Sequence, residues 1–260
     1  MKNLFLFISL CFISIIANAN VVILNGLTHV HKTNSGEIIT GVIKLKNTKD
    51  SEQKVIIYFN DLFQQCGEET ILTKDVSHDN SILNWFSTNI NERVLKGNEE
   101  YELLYTINVP KNKTIKGSYY GVLMVEIEKP IKEDDLNYGV KLESKVRYGI
   151  QIIADVNERT TSELEFYDIK IEESESSKII NVDIQNKGDF YVQPTLVLEV
   201  FNENGEQAKK MELKFKKIYP NSCKAFSLDI SDIPKGAYNA VLVADYGENM
   251  YAIDLEFENK

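Results

Sequence analysis

Three histidines are the side chains best suited to bind a metal ion, and two of them are two residues apart. In a strand, His29 and His31 ("HVH") share one face, so both imidazoles could reach one ion. A site needs about three or four ligands, and no carboxylate at a suitable spacing completes one. His78 lies between Asp75 and Asp79 in "KDVSHDN", where a cation would bind only weakly. The pattern therefore predicts that His29 and His31 are surface side chains, with no metal site and no cofactor.

The acidic and sulfur side chains do not form a catalytic pattern. Glu68, Glu69 and the run from Glu133 to Asp135 are neighbours in turns, whereas glycosidic chemistry needs two carboxylates opposed across a cleft. Cys66 would be a nucleophile only beside a positioned histidine, which no spacing indicates. The sequence lacks a nucleophile elbow, a phosphate loop and a zinc-binding helix motif. We therefore predict that the protein is not an enzyme.

Strand edges are the remaining places where the chain could act on another molecule. An edge presents unpaired N–H and C=O groups, which an extended segment of a partner can complete. Two strands are candidates, Ser118–Glu128 and Val146–Val156. The predicted partner-binding side chains are Tyr119, Tyr120, Val146, Tyr148, Ile150 and Ile152. The alternative for the last four is that they fill the protein's own core. Of the adjacent tyrosines, one ring must point outward unless something covers it.

Period-two alternation of apolar and polar residues dominates the chain and is typical of half-buried strands. Clear examples are "YELLYTINV" (Tyr101–Val109) and "KLESKVRYGIQIIADV" (Lys141–Val156), and the first strand pattern covers Val21–Leu27. Seven strand patterns follow the polar break "NERTTS", with "NENGE" as a hairpin turn. The sequence predicts an all-β protein of two tandem immunoglobulin-like β-sandwiches, 20–156 and 163–260, joined by a linker at 157–162. The segment 64–81 is predicted to be a loop with a short helix or an extra hairpin.

The N-terminus has the pattern of a secretory signal peptide over residues 1–19. Lys2 precedes the uncharged run Leu4–Ile16, and "ANA" then gives the small-x-small pattern of a cleavage site before Asn20. The mature chain, with no predicted membrane span, is expected to be a monomer in the periplasm or at the cell surface. A formal net charge of −10 argues against nucleic acid or anionic membranes as partners.

Two cysteines remain after the predicted cleavage, Cys66 and Cys223, one in each predicted sandwich. A single bridge would have to cross from one sandwich to the other. The sequence therefore argues against a disulfide framework and favours two separate, partly buried thiols.

Longer stretches resemble two groups of bacterial assembly proteins. "NWFSTNINERVLKGNEEYELLYTINVPKNKTIKGSYYGVLMVE" resembles the first domain of such two-domain proteins, and "VRYGIQIIADV" resembles its last strand. "IINVDIQNKGDFYVQPTLVLEVFNENGE" and "PKGAYNAVLVADYG" resemble the companion domain of the WxL-interacting proteins. The combined architecture is also similar to the periplasmic pilus-assembly chaperones. Their cleft carries a basic pair with an early arginine, whereas the first arginine here is Arg93, and no motif gives Lys145 and Arg147 that role.

The resemblance implies a non-catalytic protein-binding module. Such a module would chaperone or anchor other exported or cell-surface proteins, including pilus or envelope subunits, through its strand edges. The alternatives are a structural or adhesive fimbrial component and a carbohydrate-binding sandwich protein.

Overall fold

The computed structural model describes residues 20–75, 77–112, 114–128, 145–159, 162–174, 177–213, 217–247 and 249–259. The predicted signal peptide, the acidic run at 133–135 and two residues of the predicted linker, Thr160 and Thr161, lie outside the described residues. The cleavage site and the linker bounds therefore stay predictions.

Ten strands and one turn of 3-10 helix (Leu83–Trp85) form two facing sheets, here called the first sandwich. The strands are β1 (Val21–Ile23), β2 (Thr28–Thr33), β3 (Ile38–Asn47), β4 (Gln53–Phe63), β5 (Ile71–Thr73), β6 (Phe86–Thr88), β7 (Glu92–Leu95), β8 (Glu100–Asn108), β9 (Gly117–Glu128) and β10 (Val146–Val156). One sheet has the order β1-β3-β8-β6. The other has the order β2-β10-β9-β4, and β4 also pairs with β5 and β7. The β4–β5 pairing makes the predicted extra hairpin in the segment 64–81.

The core of the first sandwich lies between its two sheets and follows the alternation in the sequence. Leu45 and Leu103 come from one sheet, and Ile57, Leu123 and Ile150 come from the other. All five side chains are buried, and burial of each stabilises the fold by roughly 1.5–3 kcal/mol.

The segment predicted as one strand, Val21–Leu27, instead crosses from one sheet to the other. β1 pairs antiparallel with β3, and β2 then pairs parallel with β10. The crossing is made at Asn25 and Gly26, where Gly26 has a φ of 86° that suits glycine. Because apolar residues occur on both sides of this turn, alternation alone did not reveal the break.

The remaining strands form two more facing sheets, here called the second sandwich. They are β11 (Leu164–Glu173), β12 (Lys178–Asn186), β13 (Thr195–Asn202), β14 (Gln207–Leu213), β15 (Ser222–Asp229), β16 (Gly236–Tyr246) and β17 (Asn249–Asn259). One sheet has the order β11-β12-β15 and the other β14-β13-β16-β17. The predicted hairpin at "NENGE" is confirmed, because it joins the paired strands β13 and β14. The predicted all-β, immunoglobulin-like fold class is confirmed.

A disulfide joins the two sandwiches, so the prediction of two separate thiols is wrong. Cys66 follows β4, Cys223 lies in β15, and their Cα atoms are 4.7 Å apart. The Cys223 N–H also donates to the Gln64 carbonyl oxygen at 2.9 Å. The prediction failed because it treated residues in different sandwiches as distant, whereas the end of β4 lies against β15.

No helix among the described residues combines the length and the apolar character that a membrane crossing requires.

Candidate functional site

Strand β10 is paired on one side along its whole length but on the other side along only half of it. β9 pairs with all of Val146–Val156, whereas β2 pairs only with Gln151–Val156. This difference arises because the N-terminal segment changes sheets. β2 pairs with β10, whereas β1, which precedes it in the chain, pairs with β3 in the other sheet. Within the described residues, no strand lies beside Val146–Ile150 on that side. We call Val146–Ile150 the open edge.

The open edge presents backbone hydrogen-bonding groups toward the missing neighbour. The Gln151 N–H donates to the Leu27 carbonyl at 2.9 Å, which marks the side of β10 that faces β2. Backbone groups of a strand alternate between its two sides, so Arg147 and Gly149 point toward that same side. These two residues can therefore pair with an added strand without losing their pairing to β9.

The predicted binding side chains of β10 fall into two groups. Ile150 and Ile152 are fully buried between the sheets, which is the core position that the alternative interpretation gave them. Val146 is 39% exposed, and Tyr148 is half-buried with its hydroxyl donating to the Val21 carbonyl at 2.8 Å. Leu24 and Leu27, in the crossing segment, are 48% and 47% exposed. Exposed apolar side chains therefore flank the open edge, with Val146 at its start and Leu27 beside Gln151, just past its end.

Two basic side chains, Lys145 just before β10 and Arg147 within it, lie on the outer face of the sheet. Lys145 and Arg147 form ion pairs with Glu126 of β9 at 2.9 Å and 2.7 Å. The hydrogen bonds from Lys145 and then Arg147 lower the pKa of the Glu126 carboxyl. These cations already have a carboxylate partner, so they do not form a free basic pair.

The two predicted tyrosines of β9 lie on opposite faces of the sheet. Tyr119 is half-buried and packs against Trp85, with ring centroids 4.5 Å apart. Tyr120 is buried on the outer face, where its ring stacks on Tyr219 of the second sandwich at 3.9 Å. The ring expected to point outward is therefore covered by the protein itself. The structure does not bring Tyr119 or Tyr120 together with the open edge.

A cluster of polar contacts holds the second sandwich next to the C-terminal end of β10. Arg159 forms an ion pair with Asp155 at 2.8 Å and donates to the Tyr191 carbonyl and the Tyr246 hydroxyl, each at 2.8 Å. The Ser118 hydroxyl donates to Asp155 at 2.5 Å and accepts the Tyr191 N–H at 2.9 Å. These contacts join residues of both sandwiches, so they hold the orientation of β10 relative to the second sandwich.

The sequence interpretation missed Arg159, Asp155 and Tyr219 as junction residues. Arg159 lies in the predicted linker and Asp155 lies just before it, so their position was the one available signal. The contacts of Arg159 in the second sandwich are 32 and 87 residues away in the chain, and no local pattern reveals them. Among the described residues, no group of three or more His, Cys, Asp or Glu side chains is placed to hold a metal ion.

Comparison with known proteins gives structural likeness without sequence matches. No protein-family model and no curated protein matches the chain. A chain of the CsuC–CsuE chaperone–tip adhesion subunit pre-assembly complex, from the archaic chaperone-usher Csu pili of Acinetobacter baumannii, is similar at a TM-score of 0.51 and 15% identity. The similarity covers 91% of this chain and 98% of that one.

Two further solved structures are a chaperone–tip adhesin complex of CFA/I fimbriae and the class 5 fimbriae chaperone CfaA. Both are 14% identical, with TM-scores of 0.48 and 0.46. The first similarity covers 92% of this chain and 98% of that chain, and the second covers 93% and 99%.

This protein shares its fold with the matched chain of the Csu chaperone–subunit complex. At 15% identity, the likeness to the Csu chain concerns the fold alone. The comparisons give no support to the resemblance to WxL-interacting proteins.

Proposed function

We propose that this chain is an exported, non-catalytic, chaperone-like protein that acts in the periplasm or at the cell surface. It binds extended segments of other exported proteins, such as pilus or envelope subunits, along strand β10. The observation that carries the proposal is the open edge, where Val146–Ile150 has a strand partner on one side only among the residues that the structure describes. The shared fold with a chain of a chaperone–subunit complex supports the same proposal.

The open edge offers an incoming strand two matching kinds of contact. Its backbone would pair with the groups of Arg147 and Gly149, and main-chain pairing of this kind supplies affinity for many sequences. Its apolar side chains would pack on Val146 and Tyr148 and on the exposed Leu24 and Leu27. Ile150 and Ile152 would support this surface from the core, and Tyr119 and Tyr120 would hold β9 in place behind it.

A proline at Arg147 tests the backbone pairing directly. The Arg147 N–H points away from β9, so Arg147→Pro removes one edge donor and leaves the β9 pairing complete. The matched control is Arg147→Ala, which loses the same ion pair with Glu126 but keeps the N–H. Each tagged mature chain is crosslinked in its native cell envelope, and the captured proteins are identified and quantified by mass spectrometry.

We expect the wild type and Arg147→Ala to capture one or a few exported β-rich proteins. Arg147→Pro should reduce capture by about tenfold, since a lost hydrogen bond and the added ring both disfavour pairing. Equal capture by all three chains would contradict edge pairing. Retention on glycan or cell-wall fractions without a protein partner would favour the carbohydrate-binding alternative. Incorporation into a fibre would favour the structural one.

A further inference from the structure

Three metal-binding side chains converge inside the first sandwich, away from the open edge. His29 and His31 lie two residues apart on one face of β2. They face the opposite sheet, where both contact Tyr105 of β8. The Tyr105 hydroxyl oxygen is 2.7 Å from Nε2 of His31 and 3.3 Å from Nδ1 of His29. The sequence did not predict this group, because Tyr105 is 74 residues from His31.

A glycine on the neighbouring strand fixes the position of the tyrosine. Gly41 of β3 is directly opposite Tyr105 in the register of the sheet. A Cβ atom at Gly41 would lie 2.1 Å from Cζ of the Tyr105 ring, so only glycine leaves room for it. The ring therefore lies across β3, and its hydroxyl reaches the two imidazoles.

The environment of the two imidazoles favours their neutral form, which is the form that binds metals. Burial lowers the pKa of His29, and burial with the neighbouring His29 lowers the pKa of His31. Both rings are half-buried, whereas Tyr105 is fully buried behind them. An ion can therefore approach from the histidine side.

We propose that His29, His31 and Tyr105 form a binding site for a divalent transition-metal ion, Zn²⁺ or Cu²⁺. Imidazole nitrogen suits both ions. With metal–ligand bonds of about 2.0 Å, the two oxygen–nitrogen distances correspond to angles at the metal of about 85° and about 110°. The first is close to the square-planar angle of Cu²⁺ sites, and the second is close to the tetrahedral angle of Zn²⁺ sites. Solvent supplies the fourth ligand.

Binding at the phenol oxygen displaces one proton, which leaves to solvent. Burial raises the pKa of Tyr105 to about 12, so the free hydroxyl keeps its proton at neutral pH. A dication favours the deprotonated form of an oxygen ligand by several pKa units, as it does for bound water. The bound ion would link β2 to β8 of the facing sheet. Because this link exists only in the folded state, the unfolding temperature of the first sandwich would rise.

The test uses the mature chain purified without a polyhistidine tag, since a tag would bind the same ions. Zn²⁺ affinity is measured by competition with a chromophoric chelator, and Cu²⁺ is followed by visible absorption and by the unfolding temperature. The variants are His29→Ala, His31→Ala and Tyr105→Phe. The chain has three histidines, so His78→Ala is a matched control outside the site.

We expect His29→Ala and His31→Ala each to weaken Zn²⁺ binding by roughly 100-fold, more than the loss of a supporting hydrogen bond costs. Tyr105→Phe should abolish the phenolate-to-copper absorption band, and His78→Ala should change neither readout. Wild-type protein that binds neither ion at micromolar concentration would overturn the proposal. Equal affinities in the wild type and the His29 and His31 variants would overturn it as well.

Discussion

His78 is a titratable side chain packed among aromatic rings where the two sandwiches meet. Its ring stacks on Tyr120 at 4.5 Å and meets the edge of Phe63 at 5.3 Å. The nearest charged atom is an oxygen of Asp61, 3.8 Å from Nε2. Neither ring nitrogen has a hydrogen-bond partner within the described residues. Burial lowers the pKa of His78, although Asp61 and Asp79 partly oppose this effect.

The lowered pKa of His78 predicts a loss of stability in mild acid. The unfolded chain takes up a proton near pH 6.5, whereas the folded chain takes it up only at lower pH. The contribution is therefore complete above pH 6.5 and is lost as the pH falls below it, by at most about 1.4 kcal/mol per pH unit. Urea unfolding between pH 7.5 and 5.5 should show a steeper decline for the wild type than for His78→Phe, which keeps an aromatic ring beside Tyr120.

The wild type and the variant share the other two histidines, so their difference isolates His78. Parallel stability curves for the two proteins would show that His78 titrates in the folded state as it does in the unfolded chain.

The open edge exists because one short turn moves the chain between sheets. β1 and β2 are separated by Leu24–Leu27, and β2 reaches β10 only along Gln151–Val156. Gly26 is in the left-handed region with a φ of 86°, and no atom lies within 4 Å of the position of a Cβ there. A substitution at this residue therefore changes the backbone energy and nothing in the packing.

Gly26→Ala should destabilise the first sandwich by about 1–2 kcal/mol, the cost of a left-handed conformation for a residue with a Cβ. Gly26→Asn is the matched control and should lose less, since asparagine tolerates this conformation. Urea unfolding measures both. Should the alanine variant be as stable as the wild type, the turn would not depend on a positive φ.

Alternation predicted strands well wherever one face of the strand is buried. β12 and β16 have the predicted bounds, Lys178–Asn186 and Gly236–Tyr246, because their apolar residues recur at every second position. Alternation carries no information about which strands become neighbours. It therefore missed the parallel pairing of β2 with β10, which creates the open edge, and the approach of Tyr105 to His29 and His31.

Several separate contacts connect the two sandwiches to each other. Cys66 and Cys223 form a covalent link, Tyr120 stacks on Tyr219, and Arg159 bonds to groups of both sandwiches. These contacts join β4, β9 and β10 of the first sandwich to the second. Because β10 takes part in one of them, the position of the open edge depends on the arrangement of both sandwiches.

Removal of the disulfide should lower the free energy of unfolding by about 2–4 kcal/mol, since the link closes a long loop in the unfolded chain. The bonded cysteines are 157 residues apart. The change is the double variant Cys66→Ala with Cys223→Ala, measured by urea unfolding with and without a dithiol reductant. Reductant should bring the wild type to the stability of the variant and leave the variant unchanged. A wild type insensitive to reductant after full reduction would contradict the expected role of the link.

The parallel pairing of β2 with β10 also sets the order of events during synthesis. Thr28 and its partner Gln151 are 123 residues apart, so β2 has no neighbour on that side until the end of the first sandwich has been made. At a synthesis rate of about 5–20 residues per second, this wait lasts roughly 6–25 s. Throughout that interval, β2 is an unpaired strand that can bind the wrong partner. Premature association of the nascent chain is therefore a hazard built into the topology, and slower elongation lengthens it.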